Sequence, residues 1–385
     1  MHIAFDGTTL RPGRTGVGYY TEHLLRAAAG QCGGDDITVF SNRSIETASP
    51  LPAHVRSLVA TRRMPRFLWM QVEAPRLVRR IHADVVHFTN GMVPAALLMP
   101  TVVTIHDVSL TLFPRFHPAR RVLLNRPFVN LAARRADAII TVSEAAKRDI
   151  VRVYGVDETR VHVVHEAPAP SFRVIHDTAE LRRVRERYGL ADRFLLYVGT
   201  IEPRKNLPTL IEAFARRRVA GDLPHQLVCV GPYGWLSHDL ERLIDRLHVR
   251  DAIVFTGYVP FDDLPAIYNL AELFVFPSVY EGFGLPVVEA MACGTPVLTG
   301  HVAALSEVAG GAAEEVPSLD VESLGGAIVA LARDRDRRED LVRRGLLRAR
   351  TFSWSRAASE THNVYRSVAA SPVAARADAS AALQS

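Results

Sequence analysis

The sequence predicts an α/β protein made of two doubly wound, parallel-sheet domains in tandem. Three observations lead there. Short runs rich in Val, Ile and Phe alternate with longer stretches of helical spacing. The runs are continuously apolar rather than alternating, as strands covered on both faces require. The rhythm pauses once, at His165-Glu-Ala-Pro-Ala-Pro-Ser171, and then restarts. A length of 385 residues, about 2.6 times an average domain, fits two large units.

In chain order, the first half offers strands at Ile3–Phe5, Ile37–Phe40, Val85–Phe88, Val102–Ile105, Ala138–Val142 and Val161–Val164. Patterns such as Thr21–Ala29 and Val122–Arg135 suit the crossover helices of βαβ units. The two prolines of the 165–171 segment mark an extended linker, which divides the chain into domains 1–170 and 171–350. The second half repeats the pattern with Phe194–Val198, Leu227–Val230, Ile253–Phe255, Leu273–Phe276 and Pro296–Leu298. From Ser371 to Ser385 the chain is Ala/Ser-rich and is expected to form a flexible tail. The expected architecture places a cleft between the domains.

Composition narrows the function. With 48% hydrophobic and 23% charged residues, disorder, collagen and coiled coil are excluded for the whole chain. The longest apolar stretch, Val93 to Ile105, is broken by Pro94 and Pro100 and falls short of the roughly 20 residues a membrane span needs. The start, Met-His-Ile-Ala-Phe-Asp, lacks the basic and long apolar regions of a secretory leader, so a cytoplasmic location is expected. Cys32, Cys229 and Cys293 have neither disulfide nor zinc spacing and read as buried thiols. Residues 1–170 hold 21 Lys and Arg against 14 Asp and Glu, and residues 171–385 hold 25 against 27. The basic first half suggests an anionic partner. No nucleic-acid-binding module or aromatic platform accompanies it, so nucleic acid is not expected.

Four segments could carry chemistry. Arg14-Thr-Gly16-Val-Gly18-Tyr19-Tyr20 lies between the first strand and the helix after it. There, backbone N–H groups and the positive helix end suit a phosphate; a purely steric glycine turn reads equally, and the full dinucleotide fingerprint is missing. Thr104-Ile-His106-Asp107 ends a strand, where ligands bind in open α/β sheets. His106 could donate a hydrogen bond or move a proton, or simply be satisfied by a neighbouring carboxylate. Gly199-Thr200-Ile-Glu-Pro-Arg204-Lys205 sets two cations before a helix, and Lys205 is one of only two lysines in the chain. The pair suits a diphosphate, the alternative being a solvated basic turn. Finally, Phe276-Pro-Ser-Val-Tyr-Glu281-Gly282-Phe283-Gly284-Leu285-Pro-Val-Val-Glu289 runs from a strand through a glycine turn into a helix starting near Pro286. Its backbone and two carboxylates could together hold sugar hydroxyls.

This last segment resembles the Glu-seven-residues-Glu signature of retaining GT-B glycosyltransferases, in particular family 4 (glycosyltransferase group 1). The other three segments fall in the order that resemblance requires, and it covers Met1 to about Tyr365. It implies two Rossmann-like domains of the GT-B class, and the stretch around Phe352-Ser-Trp354 resembles the closing helices, residues 351–370, that cross back to the first domain.

The resemblance also implies roles. Gly16, with Gly18 beside it, would approach the donor phosphate. Thr200, Arg204 and Lys205 would hold the diphosphate. Glu281, with the amides of the Gly282-Phe283-Gly284-Leu285 turn, would address the donor sugar. Glu289 would bind the ribose, and Tyr258 and Val259 would lie by the nucleobase. His106 would sit beside the transferred sugar. Catalysis would thus fall to His106, Arg204, Lys205 and Glu281. On the acceptor side Tyr19, Asp107, Arg115 and Arg120 are the candidates.

The partner expected is a nucleotide-diphosphate sugar, GDP-mannose first, with UDP-hexoses and GDP-rhamnose behind it. The acceptor expected is a saccharide or lipid-linked saccharide of a bacterial surface glycan. Cations aimed at a diphosphate stabilise the charge that develops there, so neither a metal nor another cofactor is expected; Asp334-Arg-Asp336 reads as a solvated helix face. The resemblance implies retention of anomeric configuration; no nucleophilic carboxylate stands out, which favours same-face attack, with the departing phosphate taking the acceptor proton. The stretch Arg56 to Arg80 holds seven arginines, one acid and Phe67, Leu68 and Trp69. That suits peripheral attachment to an anionic membrane surface at the inner face of the cell membrane, or an ordinary amphipathic element packed on the sheet. A nucleotide-sugar epimerase and a non-catalytic nucleotide-sugar sensor remain as competing classes.

Overall fold

Parallel ladders organise both halves of the chain. The computed structural model describes residues 1–11, 16–31, 34–60, 64–96, 99–235 and 238–370. The first sheet has seven strands: β1 (His2–Asp6), β2 (Asp36–Ser41), β3 (Val55–Val59), β4 (Val85–Phe88), β5 (Thr101–Thr104), β6 (Ala138–Thr141) and β7 (Val161–Val163). Their order is β3-β2-β1-β4-β5-β6-β7. The second has six: β8 (Phe194–Val198), β9 (Gln226–Val230), β10 (Ile253–Gly257), β11 (Leu273–Phe276), β12 (Val297–Gly300) and β13 (Glu314–Val316), ordered β10-β9-β8-β11-β12-β13. All pairings between these strands are parallel. In each sheet the winding direction reverses beside the first strand, between β1 and β4 and between β8 and β11. That is the place where ligands of doubly wound sheets bind.

The central strands are buried along their length, as in β4 and β11, because helices cover both faces. Two edge strands escape an apolar-run criterion for the same reason in reverse. β3 is largely exposed, and its Arg56 pairs with Asp36 of β2 at 2.8 Å; β13 carries Glu314 and Glu315.

The chain forms two compact units. Unit 1 comprises Met1–Val108, Leu123–Glu166 and the segment from Trp354 on. Unit 2 comprises Ser109–Val122 and Ala167–Ser353. The change at Glu166/Ala167 lies inside the proline-rich 165–171 stretch. Beyond it, Asp177 caps the helix Thr178–Tyr188 by accepting from the Ala179 and Glu180 amides, and Gly189 ends it in the left-handed region. Two excursions break a contiguous division. Ser109–Val122 packs with unit 2, where Trp235 Nε1 donates to Phe116 O at 2.6 Å and Phe113 lies 5.0 Å from the Tyr280 ring.

The closing helix Trp354–Ala370 packs with unit 1 against the helix Gly16–Gln31. Trp354 stacks on His23, and Tyr365 meets the buried His87 Nδ1 at 2.7 Å. Residues 371–385, Cys32, Arg14, Arg62 and Arg63 lie outside the described residues. Among the described residues no helix is long and apolar enough to cross a membrane.

The basic stretch 56–80 is more than one element, and its helix packs on the sheet, as the amphipathic-element reading expects. Arg56 belongs to β3, and the helix Arg66–Ile81 follows. Trp69 of that helix is fully buried and stacks on Phe40, so it is core rather than surface. Phe67, Leu68 and Val72 are the exposed apolar side chains on the same helix.

Candidate functional site

The reversal between β8 and β11 brings together residues far apart in sequence. β8 ends at Val198, and the chain then runs through Gly199, Thr200 and a single 3-10 turn, Pro203–Lys205. β11 ends at Phe276 and leads through Ser278 to Glu281. A backbone bond from the Val279 amide to Arg204 O, 3.0 Å, ties the two loops.

On this frame an ion cluster forms. Arg204 Nη1 donates to Glu281 Oε2 and to Tyr280 O, both at 2.8 Å. Arg204 Nη2 and Nε donate to Glu202 Oε1 at 2.8 and 3.1 Å. Lys205 Nζ donates to Glu281 Oε1 at 2.5 Å and sits 4.7 Å from the centroid of the Phe276 ring. Ser278 Oγ donates to the same carboxylate oxygen.

The electrostatics follow from burial. Taking Glu281 out of water alone would raise its carboxyl, but the Arg204 and Lys205 charges outweigh that and hold it below the usual glutamate range. Burial lowers the Lys205 ammonium below the ordinary lysine value, against the opposing pull of Glu281. Two carboxylates and two cations leave the cluster formally neutral. The N–H donors of both cations are therefore oriented by Glu202 and Glu281.

The glycine turn after Glu281 is constrained. Gly284 has φ +99°, and a Cβ there would lie 2.4 Å from Leu305 Cδ2. Gly282 and Phe283 are buried, Leu285 is half-buried, and the helix Leu285–Ala292 starts at once. Glu289 lies on that helix, buried, and accepts from the Tyr268 hydroxyl at 3.1 Å. Across the sheet, Gly231 after β9 has φ +136°, and a Cβ there would lie 2.2 Å from Gly199 O. The loops after β8 and β9 thus touch backbone to backbone. Thr200 is half-buried beside this contact. Tyr258 is exposed and Val259 buried just past β10.

Other expected residues fall elsewhere. Arg115 and Arg120 lie on the Ser109–Val122 excursion of unit 2, both exposed, with Arg115 over the Phe116 ring. Asp334 caps the helix Arg335–Ala349 by accepting from the Arg337 amide. In unit 1, Gly16 opens the helix Gly16–Gln31, exposed, and among the described residues a Cβ there would meet nothing within 4 Å. Gly18 is buried and Tyr19 half-buried on the same helix.

His106 follows β5, with Nε2 3.1 Å from Thr89 O and Nδ1 3.2 Å from Glu166 Oε1. Its ring is edge-to-face with Tyr20 at 4.6 Å. The partner is Glu166, not the adjacent Asp107, which is half-buried at the same strand end. Among the residues of these clusters that the sequence does not single out are Glu202, Ser278 and Glu166. Glu202 stands two residues before Arg204 inside a recognised segment, so its sequence signal was available. Glu166 sits among prolines that read only as linker.

Comparison with known proteins agrees with this architecture. Residues 181–348 match the family described as Glycosyl transferases group 1, and residues 14–167 match Glycosyltransferase Family 4. The O-antigen chain mannosyltransferase B of Escherichia coli is 32% identical over 384 residues, covering 95% of this chain and all of that protein. Among solved structures, sucrose-phosphate synthase from Thermosynechococcus elongatus superposes with TM-score 0.75 at 21% identity, over 95% of this chain and 98% of that one. The Anabaena protein HepE in complex with UDP-glucose gives 0.73 at 19% identity, over 95% of this chain and all of that one. Two parallel-sheet units of this topology, matched by both family descriptions and by a full-length relative, make the chain a GT-B glycosyltransferase of family 4, group 1.

Proposed function

We propose that this glycosyltransferase moves mannose from GDP-mannose to a saccharide or lipid-linked saccharide of a bacterial surface glycan. The single observation that carries the transfer chemistry is the Glu202–Arg204–Glu281–Lys205 cluster at the β8/β11 reversal. Bond cleavage at the anomeric carbon leaves negative charge on a diphosphate. Preoriented cations stabilise charge where it develops, so Arg204 and Lys205 perform that task without a metal or other cofactor. Glu281 and the turn to Leu285 receive the sugar hydroxyls, and Glu289 the ribose. Thr200, Gly16 and Gly18 approach the phosphates, and Tyr258 and Val259 flank the base. His106 faces the transferred sugar, with Tyr19, Asp107, Arg115 and Arg120 on the acceptor side. Attack from the face the diphosphate leaves gives retention. The choice of mannose rests on the name of the full-length relative.

A second donor reading, UDP-hexose, draws on the HepE complex with UDP-glucose. A panel of GDP- and UDP-sugars on purified protein separates the two. The donor that raises the melting temperature and is slowly hydrolysed identifies nucleotide and sugar. The same assay in EDTA tests metal independence, and the anomeric configuration of the product tests retention. A free, isomerised sugar would point to an epimerase, and binding without turnover to a sensor.

The helix Arg66–Ile81 gives the surface for a membrane-presented acceptor, with Phe67, Leu68 and Val72 exposed and Arg76, Arg79 and Arg80 alongside. Such a basic amphipathic face binds anionic lipid. Co-sedimentation with phosphatidylglycerol vesicles is expected to weaken when the three arginines are replaced by Gln. Unchanged sedimentation would remove the membrane from the proposal and leave a cytoplasmic enzyme.

A further inference from the structure

The hydrogen bonds of His106 carry an unusual proton count. Its Nε2 lies 3.1 Å from the carbonyl oxygen of Thr89, which can only accept, so Nε2 carries a proton. A neutral imidazole would then turn a bare lone pair on Nδ1 toward Glu166. Yet Nδ1 lies 3.2 Å from Glu166 Oε1, and an ionised carboxylate is also acceptor-only. The contact is satisfied only if one further proton lies between them. Both side chains are largely withdrawn from water, 16% and 10% exposed, so bulk solvent does little to screen a mismatch.

The ring has little freedom to escape. Tyr20 packs edge-to-face against it at 4.6 Å, and Tyr20 is itself anchored through its hydroxyl to Thr104 Oγ1 at 3.0 Å. That same Thr104 hydroxyl meets His87 Nε2 at 2.7 Å, and His87 Nδ1 meets the Tyr365 hydroxyl at 2.7 Å. The titratable groups around His106 include Tyr20 from the first helix, His87 from β4, Glu166 beyond β7 and the adjacent Asp107. Of these, Glu166 is the carboxyl group in contact with the ring.

We propose that Glu166 is a positioning residue of the transfer site, holding His106 with a proton on both ring nitrogens and its plane fixed between Thr89 and Tyr20. Two consequences follow. Both nitrogens are engaged inside unit 1, so the ring does not shuttle a proton to or from the acceptor. It contributes instead a fixed imidazolium, whose charge is balanced by Glu166. The inference deepens the proposed transferase reading and rests on it for the catalytic effect, but not for the protonation.

The test separates the two. Full-length protein with 15N-labelled histidine is examined at pH 7 by long-range 1H–15N correlation, with His106 assigned from the signal lost in His106→Asn. Wild type is expected to show both His106 nitrogens protonated. In Glu166→Gln the side-chain amide can donate to Nδ1, so the ring keeps its place and becomes the neutral Nε2–H tautomer. Glu166→Asp keeps the charge and is expected to restore the doubly protonated signature at least in part. With whichever nucleotide sugar the wild type turns over, Glu166→Gln is expected to lower kcat about tenfold or more while donor KM stays within about twofold. A wild-type His106 spectrum with one bare nitrogen, or no change in Glu166→Gln, overturns the pairing. A changed spectrum with unaltered kcat overturns its role in transfer. A wild type that turns over no sugar nucleotide fails the transferase reading while leaving the spectroscopic result standing on its own.

Discussion

Lys205 Nζ and Glu281 Oε1 lie 2.5 Å apart at the ends of neighbouring strands, although 76 positions separate them in the chain. The pairing of β8 with β11 makes this contact. The pair is buried, and the same carboxylate also accepts from Arg204 and Ser278. A single glutamate therefore orients both cations expected to face the leaving group.

Replacing Lys205 by Ala is expected to lower kcat about 10²-fold, the scale of one lost charge-stabilising donor. Steady-state kinetics with the identified donor check it. Full activity in the variant would remove Lys205 from the mechanism.

Glu281→Gln leaves two buried cations without their shared counter-charge, which costs about 3–5 kcal/mol when one partner of a buried pair is removed. The pH dependence has a definite sign. The Glu281 carboxyl is held below its ordinary value of 4.5, so its contribution is present above pH 4.5 and disappears as pH falls through the lower folded value. Urea unfolding at pH 7 should separate wild type from variant, and the gap should narrow in acid. A constant gap would contradict the ionised state assigned to Glu281.

His87 is fully buried and pushed down to about 3, first by burial and then by the His106 charge. The unfolded chain takes up a proton near the ordinary 6.5 while the folded chain refuses it. Stability is therefore lost as pH falls from 6.5 toward 3, by up to about 1.4 kcal/mol per pH unit from this group. His87→Gln is expected to be less stable at pH 7 yet to lose this acid sensitivity. Urea midpoints between pH 7 and 4 decide it, parallel curves for the two proteins being the contrary result.

At Gly231, alanine would combine a positive φ with a Cβ 2.2 Å from the Gly199 carbonyl. Neither backbone can yield without moving a strand end. Gly231→Ala should cost at least about 1–3 kcal/mol and weaken donor binding, as read by thermal shift with and without nucleotide sugar.

Gly16 behaves oppositely. Since no described residue comes within 4 Å of its Cβ position, Gly16→Ala should leave the melting temperature unchanged within error. A fall in donor affinity in that variant would therefore report a ligand approaching the backbone. Unchanged affinity would remove Gly16 from the donor site.

Much of this was legible in the sequence because strand ends announce themselves. Val198-Gly199 and Phe276-Pro277 close apolar runs, and the charges that matter follow within a few residues. Their mutual contact was not legible, since it depends on strand order and not on spacing. Edge strands were harder. β3 and β13 carry Arg56, Glu314 and Glu315, charged groups that solvent tolerates at a sheet edge, so neither formed an apolar run. Trp69 misled in the other direction, because a tryptophan among arginines resembles a surface patch and here fills the core. Glu166 was invisible, as nothing in a proline-rich stretch distinguishes a carboxylate turned inward from one in water.

Because Trp354–Ala370 packs into unit 1 while Ser109–Val122 packs into unit 2, neither unit is one uninterrupted stretch of gene. A fragment ending at Glu166 would expose the faces that Trp354 and Tyr365 cover and strip His87 of the Tyr365 hydroxyl. Grafting the first unit onto another enzyme's second unit to change specificity therefore needs four splices, at Val108/Ser109, Val122/Leu123, Glu166/Ala167 and Ser353/Trp354. The excursion from Ser109 to Val122 would have to travel with the recipient's second unit. A single crossover in the proline-rich stretch would leave both Ser109–Val122 and Trp354–Ala370 in a unit built from the other parent.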